Sequence, residues 1–113
     1  MSQGARGKRR PLRIPQFVVT PAARDDLLEI RDFIAGDDPS AARRVLAKLR
    51  AAMRRLARVP HMGHLRLDLS PEPLRFWPVY SFLIIYRPET RPLEVLRVLH
   101  ASRDVRRMLE DPE

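Results

Sequence analysis

The run "FLIIY", Phe82 to Tyr86, limits the fold more tightly than any other stretch of this chain. A strand with one face in water alternates apolar and polar residues, and this run does not. It therefore reads as a central strand covered on both faces. Whatever covers it must come from the rest of the 113 residues or from a partner. That length suits one domain, and a hydrophobic share of 44% is enough for a compact core of two layers.

One layer of cover is written in the first half of the chain. "PAARDDLLEIRDFIAGDD" places Ala23, Leu27, Ile30 and Ile34 at 4-3-4 spacing, which makes a single helical face. Thr20 suits an N-cap with Pro21 at the first helical position. Asp25 and Asp26 fall near the positive end of the helix dipole, and Gly36 closes the helix. A second helix, capped by Asp38 and opened by Pro39, runs to about Val59 and stops at Pro60. Val45, Leu49, Met53 and Leu56 form its stripe, and seven arginine or lysine residues fill its other sides. Two one-striped helices joined by "GDDPS" predict an antiparallel hairpin that needs a common surface to cover.

That surface is the second half. "LRFWPVY", "FLIIYRP" and "LEVLRVLH" predict three consecutive antiparallel strands after an irregular "PHMGHLRLDLSPEP". Pro78 confines the first of them to an edge or a bulge. "QFVVT" adds a short strand before the helices, and "SRDVRRMLEDPE" predicts one or two closing helical turns with Ser102 as cap. The order β-α-α-β-β-β makes an α+β fold, a helix hairpin packed on a small, mainly antiparallel sheet with a short C-terminal helix. The helices cover one face of the sheet, so the expectation for the other is a partner segment or a second copy.

Charge is concentrated rather than general. The net charge is +8, yet residues 1–15 hold five basic residues (Arg6, Lys8, Arg9, Arg10, Arg13) and no acid. Residues 16–113 keep 17 basic against 14 acidic residues, a net of +3. Segment 1–15 therefore reads as a basic flexible tail and 16–113 as the folded domain. The absence of cysteine excludes a disulfide framework and thiolate metal sites. No apolar run reaches the roughly 18–20 residues of a membrane span, and no signal-type apolar segment follows the basic start. These features predict a cytoplasmic protein.

The stretches "ARDDLLEIRDFIA", "DPSAARRVLAKLRAAMRRLARVPHMG", "LRFWPV", "FLIIYRP" and "EVLRVLHASRD", in this order and spacing, carry a family likeness. "VPHMG" after the second helix and "LHASRD" after the last strand are its most specific parts. From about Phe17 to Leu109 the chain resembles the RelE/ParE superfamily of bacterial type II toxins, and its ParE branch in particular. The resemblance implies a toxin held inactive in a hetero-oligomer with a ParD-like antitoxin. Operator DNA would be reached only through that antitoxin. In the ParE branch the target is DNA gyrase, poisoned by binding; in the RelE branch the toxin is a ribosome-dependent mRNA endonuclease. A third reading is a non-toxic antitoxin-binding module of the same fold. One departure bears on geometry. Tyr80–Ser81 stands where the branch has a Gly-containing turn, which predicts a wider or bulged turn here.

RNA cleavage needs a base, an acid and cations at the phosphorane. The superfamily's phosphate-gripping arginine falls near Leu83 and its C-terminal tyrosine near Arg107, which disfavours chemistry. If the chain is a nuclease, its catalytic set is His100 with Arg75, Arg87 and Arg103; the favoured role for His100 is a hydrogen bond to the next turn. Arg75, Arg87, His100, Arg103, Arg106 and Arg107 are the expected target-binding residues. Leu27, Ile34, Leu49, Met53, Phe82 and Ile84 are expected to line or support the antitoxin groove. Trp77 and Phe76 read as core or partner-groove residues, and Tyr86 as sheet core. His61 and His64 lack a third ligand, so no metal and no cofactor is expected.

Overall fold

The computed structural model describes residues 15–110. Nearly all of the basic segment 1–15 lies outside the described residues. Strand β1 (Phe17–Val19) leads into helices α1 (Pro21–Ala35) and α2 (Pro39–Arg58). A 3-10 turn at Pro60–Met62 precedes β2 (His64–Leu65), β3 (Arg75–Val79), β4 (Phe82–Arg87), β5 (Leu93–His100) and the short α3 (Val105–Glu110). The sheet order is β1-β5-β4-β3-β2, with β1 parallel to β5 and every other pair antiparallel. β4 is thus central, as its unbroken apolar run requires.

The helix boundaries follow from their caps. The Thr20 hydroxyl accepts from the Ala23 N–H at 3.0 Å and donates to the Leu96 carbonyl at 2.8 Å. One side chain therefore starts α1 and ties it to β5. Asp38 accepts from the Ala41 N–H at 3.0 Å to start α2, and Pro60 follows its end. The helical stripes do what their spacing predicts: Ala23, Leu27, Ile30, Leu49, Met53 and Leu56 pack on Val79, Ile84, Tyr86, Leu93, Val95 and Val98.

Cover for the opposite face comes from the chain itself, which corrects the expectation of a partner there. Leu74, Phe76, Ile85, Leu99 and Val105 form a second buried cluster, with Leu69, Leu83, Leu96, Met108 and Leu109 packed against it. The 66–74 segment and α3 thus seal the sheet from below. Burying each such large side chain contributes about 1.5–3 kcal/mol.

Two local expectations are also corrected. The Tyr80–Ser81 turn is tight: Val79 pairs with Phe82, leaving two residues to reverse the chain. Tyr80 meets the demand for a left-handed first turn residue by adopting φ 54°, a conformation costly for a residue with a Cβ. The bulge lies instead in β5. There Ile85 pairs with Arg97 and Tyr86 with Val95, so Leu96 is the extra residue. In α3, Asp104 rather than Ser102 acts as the cap, its Oδ1 accepting from the Arg107 N–H at 3.3 Å.

Candidate functional site

Tyr86 and Arg75 organise one end of the sheet. The Tyr86 hydroxyl accepts from the Gly63 N–H at 2.9 Å and donates to the Pro60 carbonyl. Gly63 is required by this closeness, because a Cβ there would lie 2.5 Å from the Tyr86 hydroxyl oxygen. Arg75 Nη1 donates to the Gly63 carbonyl at 2.7 Å and to the His61 carbonyl at 3.4 Å, while its Nε is buried without a partner. Burial pushes the Tyr86 hydroxyl above its usual pKa, with the Gly63 N–H and the Arg75 charge pulling the other way. "VPHMG" is therefore the loop that this pair clasps. Beside it, Arg87 bridges Glu72 and Glu94, each at 3.2 Å.

His100 ends β5 at the opposite end. Its Nδ1 accepts from the Ser102 N–H at 3.1 Å, with the Ser102 hydroxyl 2.7 Å away. The Nδ1 lone pair is thus engaged by the turn that follows the strand. The ring meets Phe82 edge-on at 5.4 Å.

The separation of these ends decides what the cations can do together. Arg75 pairs with Tyr86 across the sheet, and His100 pairs with Phe82. Those positions are four residue steps apart along β4, about 14 Å at 3.4 Å per residue. Arg87 is one residue further still. Among the sequence-predicted residues, His100 and Arg103 come together, and Arg75 and Arg87 lie apart from them. Arg106 is exposed and pairs with Glu110 at 3.3 Å; Arg107 is exposed on the same short helix.

His100 and Arg103 line a cleft of about 390 Å³ between α1, the 80–82 turn and the end of β5. Ile30, Ile34, Val45, Phe82 and Val98 supply its apolar wall. Phe33, 83% exposed, and Tyr80, 64% exposed, stand at its mouth. Asp26 closes the bottom. Its carboxylate takes a two-pronged bond from Arg97 at 2.8 and 2.9 Å and accepts the Val98 N–H at 3.0 Å. That carboxylate raises the Arg97 pKa further above its ordinary range, chiefly through the hydrogen bond. Asp26 therefore serves this buried pair instead of the α1 dipole.

A second groove of about 340 Å³ runs along α1, α2 and β1. Its floor is Phe17, Val19, Leu27, Leu28, Leu46 and Met53, and its rim is Arg24, Arg31 and Arg50. Ile34 and Phe82 are half-buried at the first cleft. Leu49, Met53 and Ile84 are fully buried, and Leu27 nearly so, which makes them supports of these surfaces with little or nothing to present to a partner. Phe33, Tyr80 and the Asp26–Arg97 pair escaped the sequence reading. Phe33 breaks the polar side of α1, and that break was the available signal. Among the described residues no three side chains of metal-ligating type converge; His64 lies stacked on Trp77 at 6.2 Å.

The family model of the ParE toxin of the type II toxin-antitoxin system, parDE, matches residues 17–105. That span includes the helix hairpin, the whole sheet, the clasped loop and the His100 turn. The chain belongs to the ParE toxin family. Comparison with curated proteins returns no match. Among solved structures, it is similar to the chromosomal ParDE TA system from P. aeruginosa, with 22% identity and a TM-score of 0.60. The superposition covers 74% of this chain and 92% of that one. At such identity the likeness supports the fold, and the ParE fold described here is the one shared. Among the described residues no helix is long and apolar enough to cross a membrane.

Proposed function

We propose that this ParE-family toxin arrests growth in the cytoplasm by binding DNA gyrase and stabilising broken DNA, without chemistry of its own. The supporting observation is the division of its polar groups. A phosphorane needs a base, an acid and cations within one radius. Here Arg75 is engaged with the backbone of residues 61–63, Arg87 is held by two glutamates, and both lie at the far end of β4 from His100. The lone pair of His100 Nδ1 is already occupied. Leu83, at the position of the superfamily's phosphate-gripping arginine, is half-buried in the lower core.

The partner we infer is a ParD-like antitoxin whose acidic, amphipathic C-terminal segment lies on the Leu28 groove. An apolar floor with three guanidinium groups on its rim matches such a segment in both properties. The domain spans 16–113, with the basic residues 1–15 as an appendage.

Purified chain added to gyrase and supercoiled plasmid is expected to yield linear DNA after detergent and protease. Ribosome-dependent mRNA cuts that vanish in His100→Ala, with gyrase unaffected, would overturn the proposal. For the antitoxin, Leu28→Asp is expected to weaken binding by roughly 30-fold in calorimetry, the size of an interface hot spot.

A further inference from the structure

Helix α2 carries Arg43, Arg44, Lys48, Arg50, Arg54, Arg55 and Arg58 and no carboxylate between Pro39 and Arg58. None of the seven is in an ion pair among the described residues. Arg44, Lys48, Arg55 and Arg58 follow helical spacing along one side, a stripe of about 21 Å at 1.5 Å per residue. That stripe borders a groove of about 410 Å³ between α2 and β3. Lys48, Ala51, Ala52 and Arg55 form one wall, and Trp77, Pro78, Val79 and Tyr80 form the other.

Three features of this groove select its occupant. Its α2 wall has only alanine between the cations and so lacks a socket for a large aliphatic anchor, in contrast to the leucine-lined groove across α2. β2 pairs only with Arg75 and Phe76, so the β3 edge beside the groove is open, yet Pro78 gives an added peptide strand no N–H. Two rings line it: Tyr80 is 64% exposed, and Trp77 is half-buried against the core, with His64 stacked on it at 6.2 Å and 14°. A cationic track beside flat rings is the chemistry that holds single strands, phosphates on the cations and bases on the aromatic faces.

We propose that the groove between α2 and the β3 edge binds single-stranded nucleic acid, with Arg44, Lys48 and Arg55 on phosphates and Trp77 and Tyr80 under bases. This site shares Tyr80 with the mouth of the His100 cleft but does not rest on the gyrase reading.

Trp77 is the sole tryptophan, so its emission reports stacking directly. Full-length chain titrated with a 12-nucleotide oligothymidylate is expected to show saturable quenching. With three phosphates neutralised, the log–log salt slope should be roughly −2. The double variant Lys48→Glu, Arg55→Glu should lose at least about tenfold in affinity and most of that slope. Tyr80→Ser should lose about tenfold, one stacked base, with the slope unchanged. Both variants alter exposed side chains, and an unchanged thermal melt confirms that they fold. Binding that leaves Trp77 emission unaltered or ignores the double variant would place the contact elsewhere, including the basic residues 1–15, and overturn the proposal. Equal quenching by poly-glutamate or by a duplex of the same length would overturn it too, the former in favour of an acidic peptide.

Discussion

At the Tyr86 end of the sheet, polar side chains reach across 12 to 26 residues of sequence to bind buried or partly buried backbone groups. At the His100 end, the comparable bonds span two or three residues, the side chains are exposed, and a tyrosine is held in a left-handed conformation at the turn. The first arrangement fixes the loop after α2 and commits Nη1 of its arginine to that loop's backbone. The second does little for stability and presents aromatic, imidazole and guanidinium groups to solvent. Stabilising long-range bonds and exposed polar and aromatic side chains thus sit at opposite ends of one strand pair. Substitutions should respond accordingly.

The largest effect is expected between the two ends, where Asp26 fastens α1 to β5. Asp26→Ala leaves Arg97, 15% exposed, and the Val98 N–H without their acceptor. Removing one partner of a buried pair costs about 3–5 kcal/mol. A urea midpoint that moved by less than 1 kcal/mol equivalent would show that the pair is solvated and that α1 is held by packing alone.

Tyr86→Phe comes next and tests the clasp. It leaves the Gly63 N–H and the Pro60 carbonyl unsatisfied, a loss of about 2–3 kcal/mol. It also carries a pH signature. The folded-state pKa of Tyr86 is raised, so its contribution is complete below the unfolded value of about 10 and is lost as pH rises through the folded one. The wild type should therefore lose stability faster than Tyr86→Phe above pH 10. Denaturant melts at pH 8 and pH 11 read the difference, and parallel curves would remove the clasp from the comparison.

How much of this could be read in advance depends on distance along the chain. Thr20, Pro21, Asp38 and Pro60 punctuate helices within a few residues, so the hairpin was legible, as was the meander from its apolar runs. The Asp26–Arg97 and Tyr86–Gly63 bonds join residues 71 and 23 apart and depend on register. The extra residue Leu96 shifts that register by one, and no pattern in "LEVLRVLH" marks it. Cover for the lower face was missed for a related reason. Leu69 and Leu74 sit in a segment without period, and α3 is only six residues long. For the site, His100 was placed with its turn correctly, but its grouping with Arg75 and Arg87 was not legible, since strand pairing alone sets which ends coincide. Phe33 and Tyr80 are single aromatics outside any periodic stripe, and exposure is what distinguishes them.

The smallest effect has the opposite sign and separates the two ends most cleanly. Tyr80→Gly removes a Cβ from a residue at φ 54°, where glycine is unstrained, and takes away a side chain that is 64% exposed. The relief is worth about 1 kcal/mol, less the glycine's added freedom in the unfolded chain. The thermal midpoint should rise by up to about 4–8 °C for a domain of this size. In the proposed groove Tyr80 lies under a base, so the same variant should bind single-stranded nucleic acid more weakly than wild type. A lowered midpoint would mean that the ring packs better than its exposure indicates, and the His100 end would then be a second stabilising site and not a presenting one.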